Sequence, residues 1–257
     1  MAQKMKKTNR GADLPDPRKV LWCPQPKQQE MMSRPEFEAL YGGAAGGGKS
    51  DYLVAEALRQ VNNRFYRGII FRREYPQLID RSRELYKAAY PRASYNESGH
   101  VWKFPSGAKI YFAAMQHEQD RLKYQGRHFD FIGFDELTHF TERQYTYLFS
   151  RARPSGPGTE VYVRATANPG GIGHGWVKSR FVSITTPGHP IVSEVVIRDP
   201  KGKEIRLSKD RIFIPSSVFD NPALLENDPG YLGNLAILPE AERNALLYGD
   251  WDSFEGQ

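Results

Sequence analysis

The chain has 257 residues, one cysteine, a hydrophobic fraction of 39% and a formal charge of +6, which excludes a disulfide scaffold, a thiolate metal centre and a wholly disordered polymer. No apolar run approaches the ~20 residues that cross a bilayer, and the Lys-rich start leads into polar sequence, so a soluble, non-secreted protein with no membrane partner is expected. Charge is sorted along the length: residues 1–27 hold seven basic and two acidic side chains, residues 59–127 fourteen and six, and residues 215–257 one and eight.

Residues 1–20 lack periodicity, carry Pro15 and Pro17, and read as a mobile basic arm. An apolar strand-like run over 37–41 meets a glycine cluster, and helical spacing follows over 52–61 through Leu53, Ala57, Leu58 and Val61. Residues 68–71 read as a second buried strand and 77–90 as a polar helix that Pro91 ends. Alternating runs over 101–104 and 109–113, joined at Pro105, Ser106 and Gly107, predict a hairpin. A buried strand over 129–134 ends in Asp135 and Glu136, a helix is expected over 142–150, and the next strand over 161–165. Runs over 191–197 and 204–207, split by Lys201 and Gly202, predict a second hairpin, and the acidic tail carries helical segments near 222–225 and 239–247. Strands alternating with helices predict an α/β fold with a largely parallel central sheet. The expected division is a core over 21–214 and a small acidic subdomain over 215–257.

Gly43, Ala44, Ala45, Gly46, Gly47, Gly48, Lys49 and Ser50 satisfy G-x-x-x-x-G-K-[ST] between a predicted strand and a predicted helix. Glycines let backbone N–H groups turn inward around phosphates, and the helix N-terminus favours negative charge. Lys49 is expected on the β- and γ-phosphates of ATP and Ser50 on Mg²⁺. Asp135 would hold Mg²⁺ through its bound water, and Glu136 would polarise a water in line with the γ-phosphorus. An acidic pair after a strand more often caps a helix; beside a phosphate loop the catalytic reading prevails. The Asp-Glu order favours hydrolysis over transfer to a second substrate.

Thr166 and Asn168, at the end of the following strand, can sense the γ-phosphate, although Asn168-Pro169 also reads as an ordinary turn. Gln28 has an amide able to pair with an adenine edge, although a solvated linker glutamine is the commoner outcome. Arg127, Arg151 and Arg153 flank the acidic strand and its helix and are the candidates to stabilise charge on the γ-phosphoryl group. In the basic stretch, Arg83, Lys87 and Lys103 are the residues expected to track a DNA backbone. Glu74, Asp80 and Glu84 are mixed in, so an ordinary charged helix surface is the alternative.

Together these residues resemble the ATPase domain of the large terminase subunit of tailed bacteriophages. The resemblance rests on Pro26-Lys27-Gln28, the loop over 41–50, Phe71-Arg72-Arg73 with Tyr75, and the segment over 126–136. It continues through 166–169, a glycine-rich run with Trp176, and Leu247-Tyr248-Gly249-Asp250-Trp251. It implies a P-loop ATPase core of the additional-strand, catalytic-glutamate type with a small helical lid. It also implies ATP and Mg²⁺ as cofactors and a ring, commonly of five subunits, that docks on the portal protein, works with a small terminase subunit, and pumps double-stranded DNA into a procapsid in the host cytoplasm. In family members an RNase H-like nuclease follows the Gly-Asp-Trp segment, whereas this sequence stops at Gln257, so a motor fragment without nuclease activity is expected. Gln125 stands where some relatives place an arginine used in trans, and Gly133 interrupts the acidic strand. Rival readings are a helicase-like translocase, which would separate forked duplex, and a nucleotide-gated ring-assembly module with little turnover. A small-molecule kinase would need an acceptor site that the sequence does not display.

Overall fold

The computed structural model describes residues 21–74 and 77–253; the expected N-terminal arm and Tyr75 lie outside the described residues. The first element is α1 (Pro26–Met32), with Pro26 in its first turn and the Gln28 side chain accepting the Gln25 backbone N–H. β1 (Glu38–Gly43) follows and is buried along its whole length, as a parallel strand covered on both faces must be. α2 (Lys49–Glu56) starts inside the glycine loop, three residues before the predicted helix. Its apolar spacing runs on to Val61 through i→i+3 turns, Leu58 on Ala55, Arg59 on Glu56 and Val61 on Leu58, which explains the long periodic signal beyond a short helix.

β2 (Arg67–Arg72) and α3 (Gln77–Ala89) match their predicted runs. A three-stranded antiparallel unit comes next: β3 (Ser94–Asn96), β4 (Val101–Lys103) and β5 (Lys109–Ala114). β6 (Phe131–Phe134), α4 (Glu142–Phe149), β7 (Tyr162–Ala167) and α5 (His174–Val177) lead to the second hairpin, β8 (Ile191–Arg198) and β9 (Glu204–Ser216). β9 is longer than the sequence suggests. Its first half pairs with β8, and from Arg211 to Ser216 it enters the core parallel to β1. α6 (Pro222–Asn227), α7 (Tyr231–Ala236) and α8 (Glu240–Tyr248) complete the described chain.

All nine strands join one sheet in the order β3-β4-β5-β2-β6-β7-β1-β9-β8. From β5 to β9 every neighbouring pair is parallel, so the carboxyl ends of β1, β6 and β7 share one edge, where α/β sheets gather ligands. β7 lies between β1 and β6, the extra strand that the resemblance implies.

Strand alternation sends neighbours to opposite faces. Ile70 and Phe131 join Tyr52, Leu53, Tyr86 and Trp102 on the α2–α3 side. Ile69, Ile132 and Phe134 join Phe140, Tyr145 and Phe181 on the other. A smaller cluster, with Val218, Leu235 and Leu247 at its centre, ties α6, α7 and α8 to Ala45 of the glycine loop.

Candidate phosphate-binding site

The loop after β1 turns through Gly48 at φ 70°, a left-handed conformation that glycine adopts without a Cβ penalty. A side chain at Gly48 would also run into the Gln28 amide. Lys49 is only 8% exposed, and its ammonium donates to the Ala44 carbonyl across the loop. Burial lowers its pKa to about 8, against the attraction of Asp135 and Glu136. A cleft of about 350 Å³ runs along residues 45–51 and is walled by Arg81, Asn168, Asn221, Leu224 and Tyr231. Arg81 is paired with Asp51 beside it.

Across β7 stand the two acids. Asp135 is buried, and its Oδ1 accepts from Thr166 Oγ1 at 2.7 Å and Ser50 Oγ at 3.2 Å. Its Oδ2 lies 3.3 Å from Arg72 Nη1 without a directed hydrogen bond. Burial pushes the Asp135 carboxyl up, while the Thr166 hydrogen bond and the Arg72 charge oppose the rise. Glu136 is part-exposed, donates its backbone N–H to Thr166 Oγ1 at 3.2 Å, and receives His139 Nδ1 at 3.1 Å and Arg72 Nη2 at 3.0 Å. His139, chiefly, and Arg72 hold its carboxyl below the usual range. Thr166 therefore touches both acids, and Arg72 forks between them.

These residues suit a hard divalent cation. Such an ion prefers oxygen donors, and Asp135 Oδ2 is a buried carboxylate oxygen without a hydrogen-bond donor, on the acid that Ser50 already approaches. No cluster of three or more His, Cys, Asp or Glu among the described residues could hold a metal by itself, so the remaining ligands would come from phosphate and water.

Of the other sequence-predicted residues, Asn168 lines the cleft, and its Oδ1 is buried without a partner. Gln28 is buried beside the loop with both ends of its amide engaged. Nε2 donates to the Gly48 carbonyl at 2.7 Å, and Oε1 accepts from Gln25 N–H at 2.7 Å. It braces the loop instead of presenting an open edge to a base. Arg127, Arg151 and Arg153 do not join the site within one chain. They cluster at the start of β6, the end opposite Asp135: Phe129 receives Arg153 N–H and donates to the Arg151 carbonyl, and Arg127 lies over Tyr111 and Phe129. Arg83 is neutralised by Asp80 and Glu97, Lys87 donates to the Ala93 and Pro91 carbonyls, and Lys103 is exposed on β4.

Arg81, His139 and Asn221 are site residues that the sequence does not single out, and Arg72 enters there only as part of a resemblance motif, without a task at the site. Asn221 Nδ2 donates to the Gly46 carbonyl at 2.7 Å. Ala45 N–H donates to the Leu246 carbonyl at 2.6 Å, so the loop is bonded to the C-terminal helices at successive residues. Trp251 stacks on His174, ring centres 5.5 Å apart, and the His174 Nδ1 accepts from Gly170 N–H. The terminal Gly-Asp-Trp segment is thereby docked on the glycine-rich run after β7.

A family model described as "Terminase large subunit, T4likevirus-type, N-terminal" matches residues 40–256. No curated protein matches the chain. Among solved structures, the large terminase of a thermophilic bacteriophage in complex with ATP-gamma-S is similar over 88% of this chain and 52% of that one, with 15% identity and a TM-score of 0.61. The complex of the same terminase with ADP is similar over 88% and 53%, at 15% identity and a TM-score of 0.62. The large terminase ATPase domain of Thermus phage P74-26 is similar over 90% of this chain and 94% of that one, at 12% identity and a TM-score of 0.56. The chain spans about half the length of the nucleotide-bound terminase, and at these identities the likeness is one of fold.

Proposed function

The chain belongs to the terminase large subunit family of the T4-like type, and from that membership we propose that it is the Mg²⁺-dependent, ATP-hydrolysing motor domain that drives double-stranded DNA into a viral procapsid. The observation that carries the reading is the pair Asp135 and Glu136 facing Lys49 and Ser50, with Thr166 bonded to both acids. The ATP-gamma-S and ADP complexes of the thermophilic phage terminase support it. The same reading assigns as partners a portal protein, a small terminase subunit and further copies in a ring, commonly five, at the procapsid in the host cytoplasm.

Each residue has a definite task on this reading. The loop N–H groups and the start of α2 receive the phosphates. Lys49, which donates to the Ala44 carbonyl, turns its ammonium to the β- and γ-phosphate oxygens, and Ser50 and Asp135 offer oxygens to the cation. Mg²⁺, when bound, neutralises phosphate charge and fixes the phosphate geometry. Glu136, held below the usual carboxylate range by His139 and Arg72, is ionised at neutral pH and takes the proton of the attacking water. Arg72, paired with both acids, orients Glu136.

Lys49→Ala and Glu136→Gln should each lower ATP turnover by roughly 10²-fold or more. A phosphate-release assay on purified protein checks this, and turnover equal to the parent in either variant overturns the mechanism.

A further inference from the structure

The sheet edge opposite the phosphate loop carries a row of cations. Lys103 ends β4, Lys109 and Arg67 open β5 and β2, Arg127 precedes β6, and Arg153 lies between α4 and β7. Pairing fixes the neighbours: Lys103 opposes Lys109, and Lys109 opposes Arg67. Arg127 sits 4.7 Å from the ring centre of Tyr111, two residues along β5 from Lys109 and on the same face. The Arg153 N–H is bonded to Phe129 beside it. Adjacent strands are ~4.8 Å apart, so the edge from β4 to β6, four strands, is about 14 Å wide.

None of these five side chains ion-pairs with a carboxylate among the described residues; Arg67 is engaged otherwise, its Nη1 donating to the carbonyls of Arg64, Tyr66 and Gly107. The acids of the same edge are otherwise placed. Asp130 is buried and accepts from the backbone N–H groups of Arg67 and Ser155, and exposed Glu160 ion-pairs with none of the five. Several cations elsewhere are matched, Arg83 with Asp80 and Glu97, Arg198 with Glu204, and Arg206 with Glu194.

We propose that this edge is the surface on which the chain follows the phosphate backbone of duplex nucleic acid, an assignment that rests on the motor reading above. A duplex offers one negative charge per ~1.7 Å of axis and is gripped by cations without base recognition. A row of cations without carboxylate partners along one sheet edge is complementary in charge to such a backbone. Arg127 is already stacked among Tyr111, Tyr124 and Phe129, which reduces the cost of ordering it on a phosphate. The edge is also the one farthest from Lys49, so backbone phosphates and nucleotide phosphates do not compete for one site. The DNA face expected from sequence thus keeps Lys103 and exchanges Arg83 and Lys87 for Lys109, Arg127 and Arg153.

The test is the salt dependence of binding to a short duplex of arbitrary sequence, followed by fluorescence anisotropy. The variant Lys103→Gln/Lys109→Gln/Arg127→Gln/Arg153→Gln should bind about tenfold or more weakly at low salt, and its slope of log K against log[salt] should fall by up to ~0.9 for each phosphate no longer neutralised. Arg83→Gln/Lys87→Gln should leave the slope at the parent value. An unchanged slope in the fourfold variant overturns the assignment. So does an unchanged slope accompanied by loss of self-association in sedimentation, which would make the edge a docking face for an acidic protein surface. Nucleotide affinity serves as the folding control; if the fourfold variant loses it, Lys103→Glu alone, on an exposed side chain, should still flatten the slope, and a parental slope there also overturns the proposal. A failed Lys49→Ala hydrolysis test would strike the motor reading, whereas the slope reads this edge alone.

Discussion

Glu136 has φ 56° and ψ 59°, a left-handed conformation that costs a residue with a Cβ about 1–2 kcal/mol. Tertiary contacts maintain it: Thr166 takes its N–H, and Arg72 and His139 take its carboxylate. Strain of this kind gathers where a side chain must be aimed. Lys49 is held in the opposite sense, a cation stripped of water with a pKa near 8. Phosphate charge favours its protonated form, so nucleotide binding between about pH 8 and pH 10 should take up a proton. Calorimetry in two buffers of different ionisation enthalpy measures this uptake; it should vanish in Lys49→Met and shrink below pH 7. Lys49, Ser50, Asp135 and Glu136 are legible in the sequence as a group because short-range patterns single them out, and the fold brings them together. Arg72 and His139 are not. Arg72 acquires its role only through the pairing of β2 with β6, and Gln28 reads as a loop brace only once its amide is seen on the Gly48 carbonyl.

At the scale of elements, periodicity locates the strands that bury both faces and misses those that change partners. The sequence pattern cuts β9 short because a charged stretch, Lys209-Asp210-Arg211, separates its two halves. The strand passes through it because Asp210 accepts Phe37 N–H and Arg211 donates to Ser193. α1 is short and polar and so leaves little apolar pattern. Gly133 looks in the sequence like a weak point in β6. A Cβ there would come 3.1 Å from Phe131, 3.2 Å from Ile70 and 3.3 Å from Leu53, so its absence lets α2 sit close against β6. Gly133→Val should lower stability by about 1–3 kcal/mol through overpacking and weaken nucleotide binding by shifting α2. A denaturant midpoint equal to the parent would show that the seat has room.

At the scale of the molecule, the helical segments of the acidic tail near 222–225 and 239–247 are legible, but the tail's grip on the phosphate loop is not. That grip is made by backbone atoms: Ala45 with Leu246, and Gly249 so close to the loop that a Cβ would lie 2.7 Å from Ala44 N. Gly249 also has φ 69°. Gly249→Ala should therefore cost roughly 1–3 kcal/mol and reduce nucleotide affinity together with stability, read by chemical denaturation and nucleotide titration. A variant that loses stability while keeping parental affinity would separate the helices from the site.

β7 gives the cleft an asymmetry. It is hydrogen-bonded on one side to β1 and on the other to β6, so the strands that lead to Lys49 and Glu136 stay two strand spacings apart, about 9.6 Å, unless a ladder breaks. The sheet is the fixed jaw of a vice. The C-terminal helices meet the loop through a few bonds and a small apolar cluster, so theirs is the lighter attachment of the two. On the proposed motor reading, any movement that follows loss of the γ-phosphate is expected in those helices and not in the sheet, which hydrogen exchange with and without nucleotide would detect.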